Sequence, residues 1–160
     1  MSTYVMDSEL FDDHFSTPEM QEIFSDRKVV QRWLDVEATL ARAEAEAGII
    51  PVEAANEIMR IADAEFYDLS TMKAEMDRTS HPIVPLVRAM DEKCGGENGR
   101  YIHWGATTQD IIDTGQMLQI KDAWTVIKRD MKTLTGILAK LAKDHKSTIM
   151  AGRTHGQQAQ

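Results

Sequence analysis

Two short stretches of this chain carry side chains able to do chemistry. The first is Gly105-Ala106-Thr107-Thr108-Gln109-Asp110-Ile111-Ile112-Asp113-Thr114, where an irregular polar segment turns into the longest helical pattern in the sequence. The adjacent hydroxyls of Thr107 and Thr108, followed by an amide and a carboxylate, put side-chain groups beside the free backbone N–H groups of a helix start. Such a place suits an anion. The N–H groups and the positive end of the helix dipole favour a carboxylate or phosphate, by about 0.3 to 1 kcal/mol per exposed contact and more in a dry site. The same residues also make an ordinary helix cap, with Asp110 accounted for by the dipole, and their types alone leave both readings open.

The second stretch runs from Met150 to Gln160. Gly152 and Gly156 bracket Arg153, Thr154 and His155, and Gln157 follows. Glycine lets the backbone come close to a small ligand, and the four polar side chains present hydrogen-bond donors to it. His155 can give or take a proton near neutral pH. A loop histidine can equally be solvated or bonded within the fold, so catalysis and structure both remain open for it.

Composition narrows the field. At 160 residues, 42% apolar and 28% charged, the chain can build one core or a small domain with an extension. Its net charge of -8, with no Lys/Arg-rich run, argues against nucleic acid or an anionic membrane surface as the main partner, since both require clustered positive charge. A single cysteine, Cys94, excludes an intramolecular disulfide and a cysteine-rich zinc site, which fits a reducing compartment. No apolar run approaches the roughly 18 residues of a membrane span, and the start of the chain lacks the basic and apolar regions of an export signal. The expectation is a cytoplasmic protein without a membrane partner.

The elements that must position the two stretches read as helix after helix, an all-α chain. Thr17-Pro18-Glu19 opens one helix, and Ser25 or Asp26 restarts the chain for a longer one. There Val30, Trp33, Leu34, Leu40, Ala41 and Ala47 recur at three- and four-residue steps until Gly48 stops the pattern. Pro51 opens a third helix with Val52, Ala55, Ile58, Met59 and Ala62 as its apolar stripe. Leu69, Met72 and Met76 mark a fourth, after Asp68. A fifth begins near Pro82 and Pro85, carries Ile83, Leu86, Val87 and Met90, and ends at Cys94-Gly95-Gly96. Residues 95–105 read as a loop holding Arg100, Tyr101, His103 and Trp104. No strand alternation appears.

From Thr108 the helical pattern runs to about His145, roughly 55 Å at 1.5 Å per residue. Met117, Ile120, Trp124, Ile127, Met131, Leu134, Leu138 and Leu141 form a heptad seam along it. Burial of these side chains is worth about 1.5 to 3 kcal/mol each, so the seam needs a cover. The five shorter helices cannot flank its whole length. Further chain or other subunits must do so.

The order Gly-Ala-Thr-Thr-Gln-Asp, one long helix, then Gly-Arg-Thr-His-Gly-Gln resembles the first two signature regions of the fumarase/aspartase superfamily. It is most similar to the branch that holds adenylosuccinate lyase and 3-carboxy-cis,cis-muconate cycloisomerase. The resemblance extends back through Phe15-Ser16-Thr17-Pro18-Glu19-Met20, Ile23-Phe24-Ser25-Asp26 and Leu34-Asp35-Val36-Glu37 to Gly48-Ile49-Ile50-Pro51, and so covers nearly the whole chain. It implies an N-terminal helical domain over residues 1–106, followed in 107–160 by the first long helix of a central bundle. It also implies a homotetramer that buries the seam, with active sites where three subunits meet.

The reaction it implies is β-elimination from a succinyl adduct. A base removes a proton next to a carboxylate, a carboxylate pocket stabilises the resulting dianion, and an acid protonates the leaving nitrogen or oxygen as fumarate departs. Thr107 and Thr108 match the carboxylate-binding pair, and His155 matches the histidine assigned as general acid. Ser80, His81 and His103 match substrate-pocket positions, while Thr154 and Gln157 flank the acid as further substrate contacts. The substrate is a small di- or tricarboxylate, with a succinylated nucleotide included in the class. Neither a metal nor an organic cofactor is implied.

The departures from the family pattern are informative too. Adenylosuccinate lyases usually carry Arg-Tyr and Arg-His-Asp where this chain has His14-Phe15 and Ser80-His81-Pro82, and those residues help hold a nucleotide phosphate. The N-terminal block, with Ala41-Arg42-Ala43-Glu44-Ala45, is closer to the muconate cycloisomerases, bacterial members of which often lack the histidine that stands here as His155. The third family signature, a glycine- and serine-rich loop supplying a serine base, is not found in these residues. The expected activity is therefore adenylosuccinate-lyase-like elimination. Lactone-forming cycloisomerisation is the alternative, and a helical assembly module without activity of its own is a third reading.

Overall fold

A computed structural model describes residues 10–153 and 155–159. Its elements, in chain order, are helices α1 (Asp12–Phe15), α2 (Pro18–Ile23), α3 (Asp26–Glu46), α4 (Val52–Arg60), α5 (Leu69–Thr79), α6 (Val84–Lys93) and α7 (Thr108–Asp144). Short 3-10 turns lie at Ala64–Phe66 and Asn98–Tyr101, and two-residue strands β1 (Gly152–Arg153) and β2 (Gln158–Ala159) pair antiparallel. The chain is all-α in character, as its periodicity predicts. The 3-10 turn inside the expected 95–105 loop and the small hairpin near the end are additions to that reading.

Local chemistry sets the helix boundaries. The Thr17 hydroxyl accepts the Met20 N–H ahead of Pro18, which needs no donor at the first helical position. The Ser25 hydroxyl accepts the Lys28 N–H at 3.2 Å and starts α3. At the other end of α3, Gly48 takes a left-handed φ of 71°, its N–H bonding the Ala45 carbonyl while the Ile49 N–H bonds that of Glu44. This is a Schellman stop, and it satisfies carbonyls the helix would otherwise leave bare.

Contacts divide the chain into two compact units, Met1–Ala123 and Trp124–Gln160, with the division inside α7. In the first unit Val30, Leu34 and Ala41 of α3 pack with Ala55 and Ile58 of α4, Leu86 and Met90 of α6, and Tyr67, Cys94 and Ile102. Each fully buried Leu, Ile or Met here stabilises the fold by about 1.5 to 3 kcal/mol. Val52 and Met59, which fall on the predicted stripe of α4, are instead exposed; Ala54, Ala55 and Ile58 face inward. Alanines let the α3 and α4 backbones approach closely, so the inner face is narrower than hydrophobicity alone suggests.

The start of α7 is tied to the first unit at several points. Ile111 is buried, the amide of Gln119 donates to the Ile23 carbonyl at 2.8 Å, and Arg32 of α3 pairs with both Asp35 and Asp122. Gly115 passes so close to Trp33 that a Cβ there would sit 2.9 Å from the indole. In the second unit the seam residues Trp124, Ile127, Met131, Leu134, Leu138 and Leu141 are each between 40% and 56% exposed. No described helix is long and apolar enough to cross a membrane.

Candidate functional site

Five of the expected site residues, Ser80, His81, His103, Thr107 and Thr108, lie in the first unit. Thr107 and Thr108 stand at the start of α7. The Asp110 carboxylate accepts the Thr107 N–H at 3.0 Å, the return half of a capping box, so Asp110 is occupied by the cap. Thr107 is exposed and Thr108 is half-buried.

Thr108 has a partner from another part of the chain. Its Oγ1 lies 3.2 Å from His81 Nε2, and His81 Nδ1 in turn accepts the Val84 N–H at 3.4 Å as α6 begins. A backbone N–H can only donate, so Nδ1 is the acceptor and the ring proton of neutral His81 resides on Nε2. His81 therefore donates to Thr108, and the hydroxyl proton of Thr108 is left for another acceptor. A carboxylate of a substrate would be such an acceptor.

Ser80 precedes His81 as the left-handed cap of α5, with φ 53° and its N–H on the Met76 carbonyl; its side chain is exposed. Among the described residues, His103 is the other non-glycine residue with positive φ, at 59°. Left-handed backbone at an ordinary residue costs of order 1 to 3 kcal/mol and gathers at functional positions. In His103 the conformation is held by a side chain that the motif reading passed over. Glu37, on the buried face of α3, accepts the His103 N–H at 3.1 Å and lies 2.6 Å from its Nδ1.

Glu37 is 1% exposed. Burial pushes its carboxyl above the usual carboxylate range, and the bonds and charge of His103 pull against that rise. Two turns along α3, burial and the charge of Glu37 also raise the carboxyl of Glu44, whose Oε2 is buried without a hydrogen-bond partner among the described residues. A sequence signal for Glu37 did exist: it takes the place of an apolar residue in the run Val30, Leu34, Glu37, Ala41. A carboxylate at such a position must find a partner within the fold.

His155 and Gln157 belong to the second unit. Both are exposed and lie between β1 and β2, whose register pairs Gly152 with Ala159 and Arg153 with Gln158. Thr154 lies outside the described residues. Among the described residues no cluster of three histidine, cysteine or acidic side chains is placed to hold a metal.

Residues 13–160 match a protein-family model described as lyase. Over 99% of its length the chain is 41% identical to N-acetyl-S-(2-succino)cysteine lyase of Enterococcus italicus, covering 35% of that protein. It is 43% identical over 148 residues to adenylosuccinate lyase of Methanocaldococcus jannaschii, which is 92% of this chain and 32% of the relative. Among solved structures, the 3-carboxy-cis,cis-muconate lactonizing enzyme of Pseudomonas putida superposes with a TM-score of 0.89 at 42% identity, over 95% of this chain and 35% of that one. The chain thus spans about a third of the length of the curated relatives it matches.

Proposed function

The chain belongs to the lyase family, and on that premise we propose that it supplies the carboxylate-binding part of an enzyme that releases fumarate from a succinyl adduct by β-elimination. The observation that carries this reading is the arrangement at the start of α7. Thr108 is held by His81 with its own proton to spare, beside the exposed Thr107. The reaction removes a proton from the carbon next to a carboxylate, and the charge of that carbanion spreads onto the carboxylate oxygens. Fixed donors aimed at those oxygens stabilise the intermediate more than the substrate, which lowers the barrier.

The C–N or C–S bond on the adjacent carbon then breaks, its electron pair leaves with the heteroatom, and a double bond forms to give fumarate. His155 is the acid that protonates the leaving group, and Thr154, Gln157, Ser80 and His103 are the further substrate contacts of this reading. The base comes from outside residues 1–160, so the segment alone is inactive. Residues 107–160 begin the central bundle of a homotetramer that covers the apolar seam.

Elimination of the adenylosuccinate-lyase type is the chemistry, but the group that leaves is smaller than a nucleotide. His14 and Phe15 line a groove of about 710 Å³ together with Thr17, Met20 and Phe24. Its described lining has no lysine or arginine to meet a phosphate. An amine or thiol bearing a succinyl group suits such a surface better. Lactonisation of a carboxymuconate is the second reading, favoured by the likeness to the Pseudomonas putida enzyme.

The test is to supply a protein of the relatives' full length carrying this segment with adenylosuccinate, N-acetyl-S-(2-succino)cysteine and 3-carboxy-cis,cis-muconate. Fumarate should form from the cysteine adduct faster than from the nucleotide. Lactone from the muconate, with no fumarate from either adduct, would overturn the elimination reading.

A further inference from the structure

We propose that Glu37 is a positioning residue for His103, fixing both the direction of its ring and the nitrogen that carries the proton. The proposal rests on the reading of His103 as a substrate-pocket residue. Glu37 makes two bonds to that one residue: Oε2 accepts the backbone N–H at 3.1 Å and Oε1 lies 2.6 Å from Nδ1. The two contacts pin His103 at main chain and side chain together, in a left-handed conformation that a histidine would otherwise leave. A carboxylate 1% exposed whose hydrogen bonds, among the described residues, go to His103 stands as a device rather than as surface decoration.

An ionised carboxylate only accepts, so Nδ1 carries a proton and Nε2 is the nitrogen left for a ligand. With a neutral ring Nε2 is an acceptor; with a second proton it becomes a donor to an anionic substrate, and the negative charge of Glu37 compensates the imidazolium. Glu37 thus fixes which ring nitrogen of His103 meets a dicarboxylate in a partly dry place. A ring free to rotate or to change tautomer would offer the wrong atom for part of the time.

The chemistry of an amide gives a sharp test. In Glu37→Gln one acceptor oxygen remains and an NH2 group replaces the other. The backbone N–H of His103 cannot change from donor to acceptor, so it keeps the oxygen, and the new NH2 faces Nδ1. The ring can answer by moving its proton to Nε2. Nitrogen–proton correlation NMR on the 160-residue chain, at a pH where the ring is neutral, should show His103 protonated at Nδ1 in the native protein and at Nε2 in Glu37→Gln.

A native ring protonated at Nε2, or one whose tautomer does not respond to the substitution, would overturn the proposal. The native spectrum alone decides if Glu37→Gln does not fold. No ligand enters these measurements, so a failure of His103 to contact substrate would count against the pocket reading and leave the Glu37–His103 pairing standing.

Discussion

His81 Nε2 lies 3.2 Å from Thr108 Oγ1 while His81 Nδ1 accepts the N–H of Val84, so one ring joins the start of α6 to the start of α7. The direction of the proton follows from the backbone donor. His81→Leu should remove the donor to Thr108 and free the hydroxyl to turn, and a net hydrogen bond is worth about 0.5 to 1.5 kcal/mol. In a full-length lyase with this segment, dicarboxylate affinity should fall about 2- to 12-fold by calorimetry. Unchanged affinity would show that Thr108 is oriented by something other than His81.

A second expectation concerns the contact that seats α7 on α3. Gly115→Ala places a Cβ 2.9 Å from the Trp33 ring and 3.6 Å from the Arg32 backbone. The indole is too stiff to bend aside as a long flexible chain would, and overpacking of this kind costs typically 1 to 3 kcal/mol. The urea midpoint of Gly115→Ala should drop accordingly. Gly136→Ala, where a Cβ would meet nothing within 4 Å, should instead hold or raise stability through its better helix propensity.

Stability should also fall on the alkaline side because of Tyr67. Its phenol is buried and donates to the Ile61 carbonyl at 2.9 Å. Burial first, then the neighbouring Cys94, raises its pKa well above the ordinary 10.0, with Arg60 opposing. The folded state therefore holds this proton more tightly than the unfolded chain. Its contribution is fully present below about pH 10 and is lost as pH rises through the folded value, at up to about 1.4 kcal/mol per pH unit. Urea titrations of the native protein and Tyr67→Phe from neutral pH upward should converge as pH increases. A difference that stays constant with pH would contradict this.

The exposed face of Trp124, Ile127, Met131, Leu134, Leu138 and Leu141 should drive self-association. We expect a helical oligomer, a tetramer in the proposed assembly, in sedimentation at tens of micromolar. Replacing Leu134 and Leu138 with Lys should shift the population toward monomer. A well-folded native monomer at that concentration would be inconsistent with the proposed assembly.

The legible parts of this molecule are those written in neighbouring residues. Ser25 before α3, Gly48 after it and the Thr107-Thr108 pair at the start of α7 each follow from spacing and residue type, because caps and stops are local chemistry. The pairs that give the candidate site its geometry are not local. Glu37 and His103 are 66 residues apart, and His81 and Thr108 are 27 apart, so nothing within a helical turn joins them. A charged residue on the apolar stripe of α3 announces that Glu37 is special without naming its partner. The hairpin around His155 has strands of two residues each, too short for any alternation to register.

The central proposal is that the start of α7 holds the substrate carboxylate on which charge develops. The most direct measurement is a paired binding and turnover assay of Thr108→Val in a full-length lyase bearing this segment. Valine keeps the shape and removes the one donor that His81 leaves free. Because that bond ends on a charged oxygen, affinity for the dicarboxylate should fall by about 10- to 100-fold, corresponding to about 1.5 to 3 kcal/mol, and because it strengthens as charge develops on that oxygen, turnover should fall as well. Native affinity and native turnover in a folded, assembled Thr108→Val protein would place the carboxylate elsewhere.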